Sequence, residues 1–279
     1  MHLTFLGVRG STPSPGPAFV RYGGNTSCIA VSPASGHHPN LLLDAGTGIR
    51  GLGPMLGGAV FEGSILLSHL HWDHVQGVPF SPSVDRDGAR VDMFMPAQDG
   101  RTGVELLAPM MSPPAFPITP EQLGGTWSFT AVEPGVFETD GYQVTAVEIA
   151  HKGGRTFAYL VEEGGASVLY APDHQPNAGM TDEARAVFSG ADVLIHDAQF
   201  LEPERFFADA YGHATVADAI ELAESIGAWM LVLFHHGPNR TDDALDRILE
   251  GLSPSIDVIV AAEGDVLDLS GRAMLRSGT

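Results

Sequence analysis

Three imidazoles and a carboxylate, His69, His71, Asp73 and His74, fall within six positions immediately after the apolar run Ile65-Leu66-Leu67. Packing alone does not account for them, because each polar group at the end of a buried strand would be desolvated without a partner. A bound cation does. Histidines two apart in an extended segment project to the same side, so His69 and His71 can grip one ion while Asp73 and His74 turn toward a second position. A chain carrying this cluster must therefore end its strand at an open edge, where further ligands arrive from other strands.

Candidates for those ligands close other apolar runs. His151 ends the run 144–150, Asp173 follows Val168-Leu169-Tyr170, and His235 follows Leu231-Val232-Leu233-Phe234. A carboxylate such as Asp173 can bridge two cations. The donor set of histidine and aspartate then suits two divalent ions, zinc first, with manganese or iron as alternatives.

The same apolar runs set the fold class. Short stretches rich in Val, Ile and Leu, punctuated by Gly or Pro, predict strands near 2–8, 26–32, 40–44, 64–68, 90–95, 142–150, 156–162, 166–171, 192–196, 229–234 and 257–261. Helices are fewer and concentrate in the second half. Val216, Ala219, Ile220, Ala223 and Ile226 repeat with helical spacing behind a capping box of Thr215 and Asp218, and Thr181 and Thr241 read as N-caps. The segment 109–125 carries Pro109, Pro113, Pro114, Pro117 and Pro120 and reads as a surface loop or lid. With no repeat and no low-complexity tract, 1–279 is expected to form a single α/β domain.

Charge narrows the partners. Thirty-four acidic residues against 14 basic ones give a formal charge of −20, which repels polyanions at long range, so nucleic acid is not expected as a partner. A small anionic substrate in a locally positive pocket is. No apolar run approaches the ~20 residues that span a bilayer, and Met1-His2-Leu3-Thr4-Phe5 lacks the features of a secretory signal. A cytoplasmic location without membrane contact is expected, and a homodimer is compatible with the sequence. Cys28 is the only cysteine and is expected to be a small buried hydrophobe.

Gly46-Thr-Gly48-Ile-Arg-Gly51 is a literal G-x-G-x-x-G after a strand, yet the following strand ends in Ser68-His69 and not in the acidic residue that holds a ribose. It is read as a tight turn. There is no P-loop, no G-x-S-x-G and no H-E-x-x-H, which removes the commonest routes to nucleotide triphosphate, acyl-serine and zincin chemistry.

These residues resemble the metallo-β-lactamase superfamily, whose signature is H-x-H-x-D-H. The resemblance is closer to its phosphodiesterase branch, through Gly7-Val-Arg-Gly-Ser11, Tyr22-Gly-Gly-Asn-Thr-Ser27, Leu43-Asp-Ala-Gly-Thr-Gly48, Asp173-His174, His196-Asp-Ala198, Gly212-His213 and Leu233-Phe-His-His236. That branch holds tRNA 3′-processing endonucleases of RNase Z type and phosphoribosyl cyclic phosphate and cyclic nucleotide phosphodiesterases. The resemblance implies a four-layer α/β/β/α sandwich with metals at one edge. It implies that His69, His71 and His151 hold one metal, that Asp73, His74 and His235 hold the other, and that Asp173 bridges them.

The catalytic set implied by the resemblance is Asp73, His213 and Asp197. Where the endonuclease branch has His-Glu-Ala-Thr, this chain reads His196-Asp197-Ala198-Gln199, so Asp197 replaces the glutamate and Gln199 the threonine. The interval between Asp173 and His213 is short and acidic, with no extended basic, glycine-rich arm of the kind that grips RNA.

The expected function is binuclear metal-dependent hydrolysis of a small phosphodiester, such as a cyclic nucleotide or cyclic ribose phosphate, by attack of a metal-bridging hydroxide. His213, paired with Asp197, is expected to protonate the departing alkoxide. Alternatives are hydrolysis of a lactone, ester or thioester by the same hydroxide, an RNase Z-like endonuclease, and a non-enzymatic metal-bound sensing module. Asp44 is a candidate partner for a ligand histidine, or a turn residue. Lys152, Arg155 and Arg240 add positive charge at the mouth or serve as surface ion-pair partners.

Overall fold

A computed structural model describes residues 1–36 and 38–275; His37 and the last four residues of the expected 1–279 unit lie outside it. Strands β1 (His2–Gly7), β2 (Cys28–Ser32), β3 (Leu41–Leu43), β4 (Glu62–Leu66), β5 (Arg90–Pro96) and β6 (Thr126–Val132) belong to a first sheet. Strands β7 (Gly135–Thr139), β8 (Tyr142–Ile149), β9 (Thr156–Glu163), β10 (Ala166–Ala171), β11 (Val193–Asp197), β12 (Met230–Phe234) and β13 (Asp257–Val260) make the second. The chain then returns to the first sheet with β14 (Val266–Asp268) and β15 (Ala273–Leu275). The orders are β15-β14-β1-β2-β3-β4-β5-β6 and β13-β12-β11-β10-β9-β8-β7.

The helices are α1 (Leu52–Met55), α2 (Trp72–Val75), α3 (Gly103–Leu107), α4 (Asp182–Phe188), α5 (Arg205–Tyr211), α6 (Val216–Ile226) and α7 (Asp242–Leu245). The expected caps form: Thr215, Thr181 and Thr241 each accept a backbone N–H three residues on, and Thr215 with Asp218 closes a capping box.

Away from the end strands, both sheets are covered on both faces, which is why those strands read as largely unbroken apolar runs. Between the sheets, Leu3, Phe5, Ile29, Val31 and Leu43 meet Val161, Tyr170, Ile195 and Val232. The outer face of the first sheet, with Cys28, Leu42 and Ile65, lies under Leu52 of α1 and Leu106 of α3. The outer face of the second, with Leu160, Leu194 and Leu231, lies under Phe188 of α4 and Ala219 and Ala223 of α6. The result is the four-layer α/β/β/α sandwich. Cys28 is a free thiol with no exposure, and burial pushes its pKa up.

Four strands lack a clear sequence signal. β6 and β7 are half-exposed strands at sheet ends, and β14 and β15 have three residues each, so little burial marks them. The proline-dense 109–125 forms turns and one short 3-10 helix, Pro120–Gln122, tied down by buried Met111 and Leu123. Together with Trp72 and Phe80 it walls an apolar cavity of about 370 Å³. Among the described residues no helix is long and apolar enough to cross a membrane.

Parallel pairing positions the site. β3, β4, β5 and β6 run parallel, as do β10, β11, β12 and β13, so within each sheet the carboxyl ends share one edge. Asp44 follows β3, Ser68 and His69 follow β4, Asp173 follows β10, Asp197 ends β11 and His235 follows β12. Antiparallel β8 and β9 bring His151, just beyond β8, to the same edge.

Candidate metal centre

The chain stays extended after β4 as far as His71, which caps α2 with φ −67° and ψ 151°. His69 and His71 therefore keep the same-side projection of a strand, and the first helical turn swings Asp73 and His74 away from them. The turn is clamped from behind by the Ala45 N–H donating to the His74 carbonyl at 2.7 Å. A Cβ on Gly46 would stand 2.2 Å from the Asp73 carbonyl oxygen, so this turn needs glycine for close approach to α2.

The folded chain brings the candidate ligands together. The ligating atoms of His69, His71, His151 and Asp173 lie within 4.8 Å of one another, as do those of Asp73, His74 and His235, and those of Asp173, His213 and His235. Asp173 faces both sides. Its Oδ1 is 3.2 Å from His74 Nε2 and 3.1 Å from His235 Nε2, while its Oδ2 is 3.7 Å from His69 Nε2 and 3.5 Å from His151 Nε2. Asp73 Oδ2 stands 3.3 Å from His74 Nε2 and 3.1 Å from His235 Nε2.

Whether the pocket suits cations is decided by how its donor atoms are satisfied. His69 Nε2, His74 Nε2 and Asp173 Oδ1 are buried without a hydrogen-bond partner, although other members of the cluster surround them. Buried polar atoms are otherwise almost always paired. Converging imidazole and carboxylate donors that do not satisfy one another fit divalent ions.

Three of the ring nitrogens facing away are held, while that of His235, Nδ1, is buried without a hydrogen-bond partner among the described residues. His69 Nδ1 lies 3.0 Å from Ser68 Oγ, His74 Nδ1 lies 2.6 Å from Asp44 Oδ2, and His151 Nδ1 lies 2.7 Å from the Gly212 carbonyl. Such partners fix the tautomer and present the other nitrogen to an ion. Asp44 is wholly buried and also accepts from the Ser68 N–H at 2.7 Å, the Ser68 hydroxyl at 2.8 Å and the Tyr170 hydroxyl at 2.7 Å.

Burial holds the pKa values of His69, His71 and His151 down, which favours the neutral, ligating form. Burial would raise the carboxyl of Asp173, but the surrounding imidazoles outweigh it and hold the group ionised. For His74, burial pulls down, and the carboxylates of Asp73, Asp173 and Asp44 outweigh it upward.

His213, a member of the third group, is paired with Asp197. His213 Nδ1 lies 2.7 Å from Asp197 Oδ2 and 3.8 Å from Asp173 Oδ2, and its ring stacks on His235 with centroids 5.4 Å apart. Asp197 is itself fixed by backbone N–H groups of Gln199 at 3.0 Å and of His174 and Ala214 at 3.3 Å. The shorter side chain of aspartate thus reaches His213. Burial lowers the His213 pKa, but the charge and hydrogen bond of Asp197 raise it further, to about 9. The pairing with Asp197 thus favours the imidazolium, the form that can give up a proton.

Two contacts at the site carried no separate signal in the sequence. The Ser11 N–H donates to Asp73 Oδ2 at 2.6 Å from a backbone with φ 64°, and Gln199 lies against the same turn. The basic residues near the mouth are engaged elsewhere. Arg155 pairs with Glu133 at 2.7 Å and Glu148 at 2.9 Å, Arg240 with Glu204 at 2.6 Å, and Lys152 donates to the Ala210 carbonyl at 2.7 Å.

Comparison with known proteins places this geometry. Residues 39–236 match the family model described as Beta-lactamase superfamily domain. A protein named Ribonuclease Z from Haloarcula marismortui is 23% identical over 95% of both chains. The metallo-beta-lactamase fold protein YhfI from Bacillus subtilis superposes with a TM-score of 0.71 at 20% identity, covering 96% of this chain and 99% of its own. A diphosphatase from the PhnP family superposes with a TM-score of 0.69 at 17% identity, covering 96% of this chain and 97% of its own. The expectation that nucleic acid is not a partner finds no support in the name the first of these carries.

Proposed function

The chain belongs to the beta-lactamase superfamily and is a metal-dependent hydrolase, and from that premise we propose that it cleaves a small phosphodiester with two divalent ions, zinc first. The names of its relatives, a ribonuclease and a diphosphatase, point to phosphorus rather than to a lactone, ester or thioester. The observation that carries the reading is the pair of His213 and Asp197, 2.7 Å apart, at the rim of the histidine and aspartate clusters. Alkoxide departure from phosphorus benefits from an acid at that place.

His69, His71 and His151 would hold one ion, Asp73, His74 and His235 the other, with Asp173 shared. Divalent ions, when bound, acidify the attacking water and neutralise phosphoryl oxygens. The chain's own residues do the rest. Ser68, Asp44 and the Gly212 carbonyl aim the ligand imidazoles, Asp197 orients His213, and the His213 imidazolium gives its proton to the leaving oxygen. No protein nucleophile is needed.

The small substrate is supported by the formal charge of −20 and by the interval between Asp173 and His213, which is taken up by α4, β11 and α5. A second reading, endonucleolytic cleavage of precursor tRNA, is favoured by the Ribonuclease Z relatives. A hydrolysis screen on the metal-loaded protein separates them, using cyclic and acyclic phosphodiesters, lactones, thioesters and precursor tRNA. Turnover of small diesters at physiological salt, with weak or no tRNA cleavage, is expected; efficient tRNA cleavage without small-diester turnover would establish the second reading.

A further inference from the structure

Gln199 departs from the threonine of the endonuclease pattern, and its surroundings give the longer side chain a definite place. Its backbone N–H is spent on Asp197 Oδ1 at 3.0 Å, and its carbonyl accepts from Arg240 Nη2 at 3.3 Å. The residue is only 6% exposed. Its Oε1 accepts the Ser11 hydroxyl at 3.3 Å and lies over Gly10, where a Cβ would come within 2.6 Å of that oxygen and 2.4 Å of the His235 ring. Gly10 therefore forms a floor on which Gln199 and His235 lie side by side.

With Oε1 turned to Ser11, the carboxamide nitrogen keeps two hydrogens and has no hydrogen-bond partner among the described residues. The nitrogen is not fully enclosed, so a group arriving from solvent can reach it. An amide whose oxygen is turned to Ser11 over Gly10, next to the ligand His235 and one residue beyond the Asp197-Ala198 segment that holds His213, has a donor left over for an anionic oxygen at this edge of the site.

We propose that the Gln199 carboxamide donates a hydrogen bond to a non-bridging phosphoryl oxygen of the substrate, with Ser11 setting the amide's orientation. This rests on the phosphodiesterase reading. The donor is uncharged and fixed before the substrate arrives, so it adds affinity for phosphate without adding a cation to a strongly acidic chain.

Binding of inorganic phosphate to the metal-loaded protein, measured by calorimetry, tests it together with metal analysis and diester kinetics. Gln199→Met keeps the volume and removes the donor; it should retain its metal and weaken phosphate binding about tenfold, the scale of one charge-assisted hydrogen bond. Gln199→Glu keeps the shape but presents a negative oxygen, and should bind phosphate more weakly still. Ser11→Ala, an exposed position, should give a smaller loss of the same sign. Equal phosphate affinity in wild type, Gln199→Met and Gln199→Glu would overturn the proposal and leave Gln199 a packing residue. Loss of metal in Gln199→Met, with Ser11→Ala unchanged in phosphate binding, would overturn it as well. A wild-type protein that neither binds phosphate nor turns over diesters would instead sink the functional reading.

Discussion

Asp44 holds His74: the Asp44 Oδ2 and His74 Nδ1 atoms are 2.6 Å apart, both residues are fully buried, and thirty positions of chain separate them. Because the same carboxylate also takes the Ser68 and Tyr170 donors, it joins the signature turn to both sheets. Asp44→Asn should lower metal affinity or activity by roughly 10–100-fold, the usual cost of losing such a partner. Metal titration with circular dichroism checks this. Full metal affinity and full activity in a folded variant would show that the contact is structural only.

Elemental analysis should find close to two transition-metal ions per chain, since Asp173 offers one oxygen to each group of ligands. Asp173→Ala should bind less than wild type. An active preparation with a single ion would remove the shared role.

His213→Ala should leave the metal content intact and reduce turnover of alkyl diesters by roughly 10²–10⁴, as for other general acids. With p-nitrophenyl diesters the phenolate leaves unaided, so the loss should shrink, and Asp197→Asn should follow the same order more mildly. His213 comes within ligand distance of Asp173 and His235. Metal analysis of the alanine variant therefore decides between acid and ligand: loss of an ion would make it a ligand.

Stability should depend on pH through Asp218. Burial would raise its carboxyl pKa, but the ion pair with Arg205 and the hydrogen bonds from Thr215 outweigh that and hold it below the usual range. The folded value is the lower one, so the stabilisation is fully present above the ordinary pKa, near ~4, and disappears as pH falls through the folded value. Asp218→Asn should cost about 1 kcal/mol at pH 7, the scale of a helix cap, with a gap to wild type that closes in acid. Denaturant melts at pH 7 and pH 3 give the comparison; an equal gap at both would contradict the linkage.

The apolar runs, the caps at Thr181, Thr215 and Thr241 and the spacing from His69 to His74 are local, so the sequence by itself determined the layered α/β class and the metal-binding character of the turn after β4. Strand ends were legible for the same reason, which is why His151, Asp173 and His235 stood out before their neighbours were known. Only the tertiary structure decided which residues meet. The hold of Asp44 on His74, the Ser11 N–H on Asp73, and Gln199 over Gly10 each join segments far apart in the chain, and no local spacing encodes such pairings. The same holds for charge. Arg155 and Arg240 are paired with glutamates and Lys152 with a backbone carbonyl because the fold puts acceptors beside them. Edge strands such as β7 leave no mark in the sequence because exposure erases the apolar pattern of a buried strand, and hydrogen bonding with β8 is what defines it.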